Sequence, residues 1–288
     1  MAKCLMPHLF CFGLGYSAQA LMREVARFGW MISGTNRSGE TVQGCNKVWP
    51  FDGTAVIPGE ALDGVTHILV SIPPGNEGDV VIRWHDAELT RRAMQVRWLG
   101  YLSTTAIYGD RGGEWVDESS APSPTTDRGR RRLEAENAWL ALFVRCSLPV
   151  HIFRLAGIYG PGRNQLLSVR DGTARRIIKK GQVFSRIHRD DVTGVLQASI
   201  AKPSPSRAYN VCDDEPSPPE EVIAYAAHLL GRAPPPEVSF EIAELSPMAR
   251  SFYADSKRVS NRRIKRELGY RLLYPTYREG LKALLDAP

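Results

Sequence analysis

Long apolar runs are absent from this sequence, since none reaches the roughly 18 residues that a membrane-spanning helix needs. Glycine (25 residues) and proline (20 residues) are too few among 288 residues for a collagen-like or low-complexity chain. The first twelve residues lead into a glycine-rich turn instead of a signal-peptide cleavage site. We therefore exclude fibrous, disordered and membrane-spanning classes and expect a cytoplasmic protein.

Cysteine is scarce and scattered. The five cysteines are Cys4, Cys11, Cys45, Cys146 and Cys212, and no two of them form a C-x-x-C pair. An odd number at wide spacing does not suit a disulfide framework, and a zinc or redox motif would need paired cysteines. We expect reduced thiols and no metal site.

The excess of positive over negative charge is small. The chain has 37 basic and 31 acidic residues, a net charge of +6, which is modest for 288 residues. No recognisable nucleic-acid-binding motif accompanies this excess. We expect a small-molecule substrate, no nucleic-acid or membrane partner, and a monomer or homodimer.

Short apolar runs alternate with helical periodicity along the first two thirds of the chain. Strands are predicted at 8–12, 30–33, 47–51, 66–72, 97–103, 151–155 and 208–211, and helices at 19–28, 79–94, 133–143, 255–268 and 277–285. Strands that alternate with helices indicate right-handed crossovers and a parallel sheet covered on both faces. The predicted fold is α/β, a Rossmann doubly wound parallel sheet with a smaller C-terminal substrate lobe.

The predicted domain boundaries follow a change in composition near residue 160, after which proline-rich loops separate shorter elements. Residues 1–160 are predicted to form the NAD(P)-binding Rossmann core, to which residues 187–212 return. Residues 161–186 and 213–288 are predicted to form the substrate-binding lobe, at the carboxyl edge of the sheet, where open α/β sheets bind ligands.

A G-x-G-x-x-A motif follows the first predicted strand, with Gly13, Gly15 and Ala18 at its three small positions. The first glycine permits a tight turn, the second lets a pyrophosphate approach the backbone, and the alanine lets the helix pack on the strand. The motif alone is a weak signal, but the strand–turn–helix context favours a dinucleotide site over a packing turn.

The residues after the second strand indicate which dinucleotide binds. An NAD site usually has a carboxylate about 20 positions after the glycines, and residues 33–38 contain none. Arg37 can instead form charge-assisted hydrogen bonds to a 2′-phosphate, with Ser38 or Thr35 assisting. The sequence therefore predicts NADP, with NAD the less favoured cofactor.

Further motifs resemble the extended short-chain dehydrogenase/reductases, the group of sugar-nucleotide epimerases and dehydratases. The matching segments are 103–109 (S-T-T-A-I-Y-G), 154–162 (R-L-A-G-I-Y-G-P-G), 187–192 (I-H-R-D-D-V), 209–211 (Y-N-V) and 256–261 (S-K-R-V-S-N). These segments occur in the family's order and together span nearly the whole chain. The G-x-G-Y-x-A opening is similar to that of an atypical branch, because extended members usually carry G-x-x-G-x-x-G.

The resemblance fails at the catalytic pair. The family has Tyr and Lys where this chain has Arg128 and Arg132, and Thr104 lies at the family's catalytic Ser/Thr position. Arginine does not exchange protons near neutral pH, so Arg128 cannot take over the acid/base role of the tyrosine. The resemblance implies that Arg132 holds the nicotinamide ribose and that Thr104 orients a substrate hydroxyl.

The candidate site residues divide by role. Catalytic roles are predicted for Thr104 and Arg132; cofactor contacts for Gly13, Gly15, Tyr16, Ser17, Arg37, Ser38, Asp52, Ser71, Pro73 and Arg132; and substrate contacts for Tyr108, Tyr159, Arg163 and His188. Asp190 and Asp191 are predicted to cap the following helix.

Two functions are compatible with these residues. The first is an NADP-dependent oxidoreductase or epimerase that acts on a small polar substrate, nucleotide sugars included. The second is a dinucleotide-binding sensor or regulatory protein without catalytic activity, which the missing tyrosine favours.

Overall fold

A computed structural model describes residues 6–286 of the chain. The strands are β1 (His8–Phe12), β2 (Met31–Asn36), β3 (Lys47–Pro50), β4 (His67–Val70), β5 (Trp98–Thr104), β6 (Trp115–Val116), β7 (Val150–Leu155), β8 (Gly157–Tyr159), β9 (Arg176–Ile178), β10 (Arg186–His188), β11 (Ala208–Val211), β12 (Glu237–Ser239) and β13 (Arg258–Val259). The α-helices are α1 (Tyr16–Ala26), α2 (Val80–Arg92), α3 (Asp127–Cys146), α4 (Gln165–Arg170), α5 (Arg189–Ala201), α6 (Pro219–Leu229), α7 (Pro247–Phe252) and α8 (Tyr277–Asp286).

Seven strands form one sheet in the order β11-β7-β5-β4-β1-β2-β3. The pairs β1–β2, β1–β4, β2–β3 and β4–β5 are all parallel. The direction of strand succession reverses between β1 and β4, and such a switch point leaves a crevice at the carboxyl ends of the two strands. The predicted Rossmann fold is confirmed, and the turns after β1 and β4 lie where such folds bind ligands.

The first compact unit comprises the residues up to Ser103 together with 131–154 and 193–209. Its core lies between the sheet and helices α2 and α3, and its largest buried side chains include Phe10, Phe12, Tyr101 and Trp139. All five residues of β1 are buried, which is the burial expected of a central strand covered on both faces.

The second compact unit comprises residues 104–130, 155–192 and those from Asn210 onward. It contains three two-stranded parallel pairs, β8–β10, β9–β12 and β6–β13. One of its apolar clusters joins Tyr159 and α4 to α6 and α8, and a smaller one surrounds Tyr253. Residues 104–130, which the sequence grouped with the Rossmann core, thus pack within this unit.

Three local predictions are wrong. The first helix, predicted at 19–28, spans Tyr16–Ala26, so Phe28 lies beyond its end and is 74% exposed. Residues 255–268 do not form one helix: they form strand β13 and a π-helical turn at Ile264–Leu268. Helix α3 begins at Asp127, six residues before its predicted start.

Asp191 does not cap α5 as predicted. Its carboxylate accepts hydrogen bonds from the backbone N–H groups of Leu273 and Tyr274, at 2.7 and 3.1 Å, and from the Tyr270 hydroxyl at 2.8 Å. It therefore anchors the segment that precedes α8. Within residues 6–286, no helix is long and apolar enough to cross a membrane, and no group of metal-ligating side chains occurs.

Candidate functional site

The turn after β1 is tied to both neighbouring strands in the first unit. The Gly13 N–H donates to Thr35 Oγ1 at 2.9 Å, and the Leu14 N–H donates to the Thr35 carbonyl at 2.8 Å. The Ser71 hydroxyl, which follows β4, donates to the Gly13 carbonyl at 2.6 Å. Gly13 has φ +88°, a conformation that glycine adopts without strain. Residue types and hydrogen bonds together make this turn rigid.

Gly15 forms the N-terminal end of α1 and is exposed. Its backbone is extended (φ −84°, ψ −171°), and an added Cβ would meet no atom closer than Ser71 Oγ, at 4.0 Å. No side chain caps α1 within the described residues, and its first turn carries no acid. The first N–H groups of a helix need partners from outside it, and together with the helix dipole they attract anions. This cradle therefore fits the pyrophosphate of a dinucleotide.

The end of β2 presents a cation and no carboxylate. The Asn36 side chain is held in the loop, where it accepts from the Gly39 N–H at 2.6 Å and donates to the Glu40 carbonyl at 2.8 Å. Arg37 and Ser38, which follow directly, are exposed. An exposed guanidinium at this strand end is able to bind a 2′-phosphate with two parallel hydrogen bonds.

The other predicted cofactor residues differ in their exposure and hydrogen bonding. Asp52, after β3, is exposed; hydrogen bonds from the Thr54 hydroxyl (2.6 Å) and N–H (2.9 Å) hold the pKa of its carboxyl below the usual value. Pro73, after β4, is exposed, Tyr16 is partly exposed, and Ser17 is buried. The structure thus places these positions near the carboxyl ends of the strands, and their cofactor contacts remain a prediction.

Arg132 lies on α3 and contacts the end of β5. Its Nη1 donates to the Leu102 carbonyl and lies 3.4 Å from the Tyr101 hydroxyl oxygen. Its Nε is buried and has no hydrogen-bond partner among residues 6–286. Burial raises the pKa of Tyr101, so this phenol stays protonated near neutral pH. The unpaired Nε is a donor that a bound ribose could satisfy.

Thr104, the last residue of β5, caps the short 3₁₀ helix at Thr105–Tyr108. Its Oγ1 accepts a hydrogen bond from the Ala106 N–H at 3.2 Å. The hydroxyl hydrogen remains for another acceptor, so capping and hydrogen-bond donation are compatible. Tyr108, at the other end of this helix, is completely buried and donates its hydroxyl to Asn210 Oδ1 at 2.8 Å. This geometry favours a packing role for Tyr108 over its predicted substrate contact.

Arg128, which the sequence resemblance aligns with the family's tyrosine, is exposed. Its guanidinium carbon lies 4.4 Å from the centre of the Phe252 ring, a cation–π distance. The next residue, Gly129, is buried, and a Cβ there would lie 2.9 Å from the Ala106 carbonyl oxygen. Close packing therefore requires a glycine at position 129.

The remaining predicted substrate residues lie in the second unit. Tyr159 and His188 are buried, with their rings edge-to-face at 5.2 Å, and burial lowers the pKa of His188 to about 4. The His188 Nδ1 accepts from the Asp190 N–H at 3.2 Å, and its buried Nε2 has no hydrogen-bond partner in the described chain. Arg163 is the exposed member of this group. Substrate contact by these residues stays a prediction.

Sequence reasoning missed a buried ion pair in the first unit between Glu136 on α3 and Arg154 on β7. The Arg154 Nη2 lies 2.8 Å from Glu136 Oε2, and the Ser103 hydroxyl donates to the same carboxylate. The available signal was a single arginine within the otherwise apolar run H-I-F-R-L-A-G at 151–157. Charged residues are rarely buried without a partner, so this arginine could have predicted an acidic neighbour.

Comparison with known proteins places the chain. No family model matches it. Protein YeeZ of Escherichia coli (strain K12) is 26% identical, over 94% of this chain and 97% of its own length. The structure of a functionally unknown conserved protein from Silicibacter pomeroyi DSS is 52% identical, with a TM-score of 0.90, over 97% of this chain and 98% of that one. The dTDP-glucose 4,6-dehydratase from Bacillus anthracis, solved in complex with NAD, is 17% identical with a TM-score of 0.77, over 98% of this chain and 96% of that one.

The fold is the one shared by NAD-dependent epimerases and dehydratases, which belong to the extended short-chain dehydrogenase/reductases. The chain belongs to the same family as the Silicibacter pomeroyi protein of unknown function. The resemblance predicted from the sequence is confirmed, and the fold is an oxidoreductase- and epimerase-like nucleotide-binding fold.

Proposed function

We propose that the first unit binds NADP(H) and that the chain is an oxidoreductase or epimerase for a small polar substrate, nucleotide sugars included. The observation that carries this proposal is Gly15, whose absent side chain leaves open space at an uncapped helix start. Neither the backbone conformation nor the packing of the chain requires glycine there, so a closely approaching ligand explains it. When bound, NADP(H) supplies or accepts a hydride at its nicotinamide.

The preference for NADP over NAD rests on Arg37. In this proposal the guanidinium binds the 2′-phosphate, and no carboxylate among residues 33–38 binds the ribose hydroxyl groups that an NAD site would engage. The dehydratase from Bacillus anthracis was solved with NAD. NADP differs from NAD by its 2′-phosphate, so the proposed preference depends on how the protein binds that group.

The proposed chemistry assigns separate tasks to Arg132 and Thr104. Arg132 holds the nicotinamide ribose with the donor that its own contacts leave unused. Thr104 donates its hydroxyl to a substrate oxygen while its Oγ1 caps the following turn. Because Arg128 stands at the tyrosine position, no phenol at that position sets the pH dependence of turnover. The proton is moved by another group or by water.

The remaining parts of the proposal follow from composition. A small-molecule substrate, no nucleic-acid or membrane partner, a monomeric or homodimeric state and a cytoplasmic location fit the small charge excess and the scattered cysteines. The substrate lobe is proposed to include 161–186 and 213–288, which lie within the second compact unit.

A sensor without catalytic activity is the second candidate. The contact of Arg128 with the Phe252 ring favours the sensor. In this interpretation a permanently charged side chain, held against an aromatic ring, takes the position of the family's acid/base residue. A sensor needs the nucleotide site of the first unit and no proton transfer.

Hydride transfer separates the two candidates. The protein is incubated with NADPH carrying deuterium at the nicotinamide C4 and a panel of carbonyl compounds, and separately with NADP and a panel of nucleotide sugars. Incorporation of deuterium into a product, measured by mass spectrometry, or conversion of a nucleotide sugar into its epimer, measured by NMR, supports the enzyme. Tight binding of the cofactor with neither reaction supports the sensor.

A further inference from the structure

Three buried residues of the first unit join α3 to two strands. Glu136 Oε2 lies 2.8 Å from the Nη2 and 3.2 Å from the Nε of Arg154, and the Ser103 hydroxyl donates to Oε1. Exposure of the two charged side chains is only 2% for Glu136 and 10% for Arg154. Both oxygens of the carboxylate therefore have partners, in an interior from which water is excluded.

Stability does not explain why such a group is kept. Removing two charges from water costs about as much as their attraction returns, and apolar replacements of buried ion pairs are often neutral or stabilising. What directional hydrogen bonds provide, and apolar side chains do not, is a defined relative position of the elements that carry them. Here those elements are α3, β5 and β7.

The position that this network defines is that of Arg132. Glu136 lies four residues after Arg132, so both side chains project from the same face of α3 on successive turns. On β5, Ser103 directly follows Leu102, whose carbonyl accepts from Arg132. Two successive turns of the helix are thus bonded to two successive residues of the strand, which fixes both the rotation of α3 and its displacement along β5.

We propose that Ser103, Glu136 and Arg154 are positioning residues that aim the unused Nε donor of Arg132 at the nicotinamide ribose. They do not touch the cofactor and act only through α3. The inference rests on the NADP(H) site proposed above, because the orientation of Arg132 matters only if the cofactor binds there. It predicts that loss of the network weakens binding of the nicotinamide half of the cofactor and spares the adenosine half.

The test compares two ligands on one variant. Ser103→Ala removes one hydroxyl and leaves the ion pair intact, and calorimetry gives the Kd for NADPH and for 2′,5′-ADP, which lacks the nicotinamide ribose. We expect Ser103→Ala to weaken NADPH about fivefold, the usual effect of one hydrogen bond, and to change 2′,5′-ADP less than twofold. Ser103→Thr, which keeps the hydroxyl, is expected to restore NADPH binding.

Ser199→Ala is the matched control. Ser199 is completely buried in the same unit and accepts a hydrogen bond from the Trp98 indole at 3.0 Å, so the variant loses one comparable bond elsewhere. Its NADPH and 2′,5′-ADP affinities are expected to stay at the wild-type values. Equal weakening of both ligands by Ser103→Ala, or of neither, overturns the positioning role. Wild-type protein that binds neither ligand overturns the cofactor site itself.

Discussion

A Cβ atom added to Gly13 would meet Ser71 Oγ at 2.8 Å, whereas one added to Gly15 would meet the same oxygen only at 4.0 Å. Gly13 also has φ +88°, while Gly15 has a backbone conformation open to any residue. The two glycines of one motif therefore answer to different requirements. The fold needs the first, and the proposed pyrophosphate needs the second.

Gly15→Val should abolish binding of both NADP and NAD while the protein still folds. The valine side chain would fill the space of the pyrophosphate, and its cost to the helix start is about 1 kcal/mol or less. Calorimetric titration and thermal melts with and without NADP measure both effects. Gly59→Val is the matched control, because Gly59 also has no positive φ and open space around its Cβ position. Undiminished thermal stabilisation of Gly15→Val by NADP would place the cofactor elsewhere.

Arg37→Asp should remove or reverse the preference for NADP over NAD. Loss of a charge-assisted contact to the 2′-phosphate costs about 1.5–3 kcal/mol, or roughly 10- to 150-fold in Kd. The introduced carboxylate would repel the phosphate and could accept from the ribose hydroxyls of NAD. Arg27→Asp, an exposed charge reversal at the residue directly after α1, controls for net charge. Equal Kd values for NADP and NAD in the unmutated protein would contradict the assignment.

The sequence predicts the sheet better than the helix starts, and physical causes explain both. Apolar runs such as 8–12 indicate buried strands because a central parallel strand is covered on both faces. The first turn of α3 has no apolar pattern. It is held by tertiary packing of Gly129 against the Ala106 carbonyl and Pro124, which periodicity does not reveal.

The candidate site also has a part that the sequence predicts and a part that it does not. The glycine turn and Arg37 follow from a local motif, because strand, turn and helix are consecutive in the chain. The partners of Arg132, Glu136 and Val259 come from residues distant in sequence. Val259 falls within the helix predicted at 255–268, yet it lies in β13, where its N–H donates to Ser185 Oγ at 3.1 Å. Long-range hydrogen bonds of this kind override local preference.

Acidification below pH 6.5 should destabilise the first unit through His151. Its Nδ1 lies 3.2 Å from the Leu99 carbonyl and its Nε2 accepts from the Ser204 N–H at 2.9 Å, so the folded state needs the neutral ring. Burial lowers the pKa of His151 to about 4. Because the folded pKa lies below the unfolded one, this contribution is complete above pH 6.5 and is lost as the pH falls toward 4.

The size of that effect is about 3 kcal/mol. Urea unfolding between pH 7 and pH 4 measures it, and His151→Gln should show a shallower dependence on pH. A ring that titrates near pH 6.5 in the folded protein, observed by NMR, would contradict this account.

Thr104→Val should lower turnover about 10²- to 10⁴-fold if the chain is an enzyme, the range for positioned acid/base assistance. The change keeps the shape of the side chain and deletes the hydroxyl. It also removes the cap on the turn that begins at Thr105, which costs about 0.5–2 kcal/mol in stability. Thr104→Ser retains both functions of the hydroxyl and should restore turnover and melting temperature together. Turnover unchanged in Thr104→Val would show that the family's catalytic position does not carry over.

Arg132→Ala should weaken cofactor binding as well as turnover, unlike Thr104→Val. The proposed contact of its guanidinium with the nicotinamide ribose is made before any chemistry, so its loss appears in the ground state. NADPH affinity should fall about tenfold or more, whereas Arg132→Lys keeps the charge and should lose less. Arg131→Ala is the matched control, because the neighbouring arginine on the same helix bonds Asn76 instead. Titration of the three variants with NADPH gives the comparison. Equal losses of NADPH affinity in Arg131→Ala and Arg132→Ala would show that the effect comes from the overall positive charge at the start of α3.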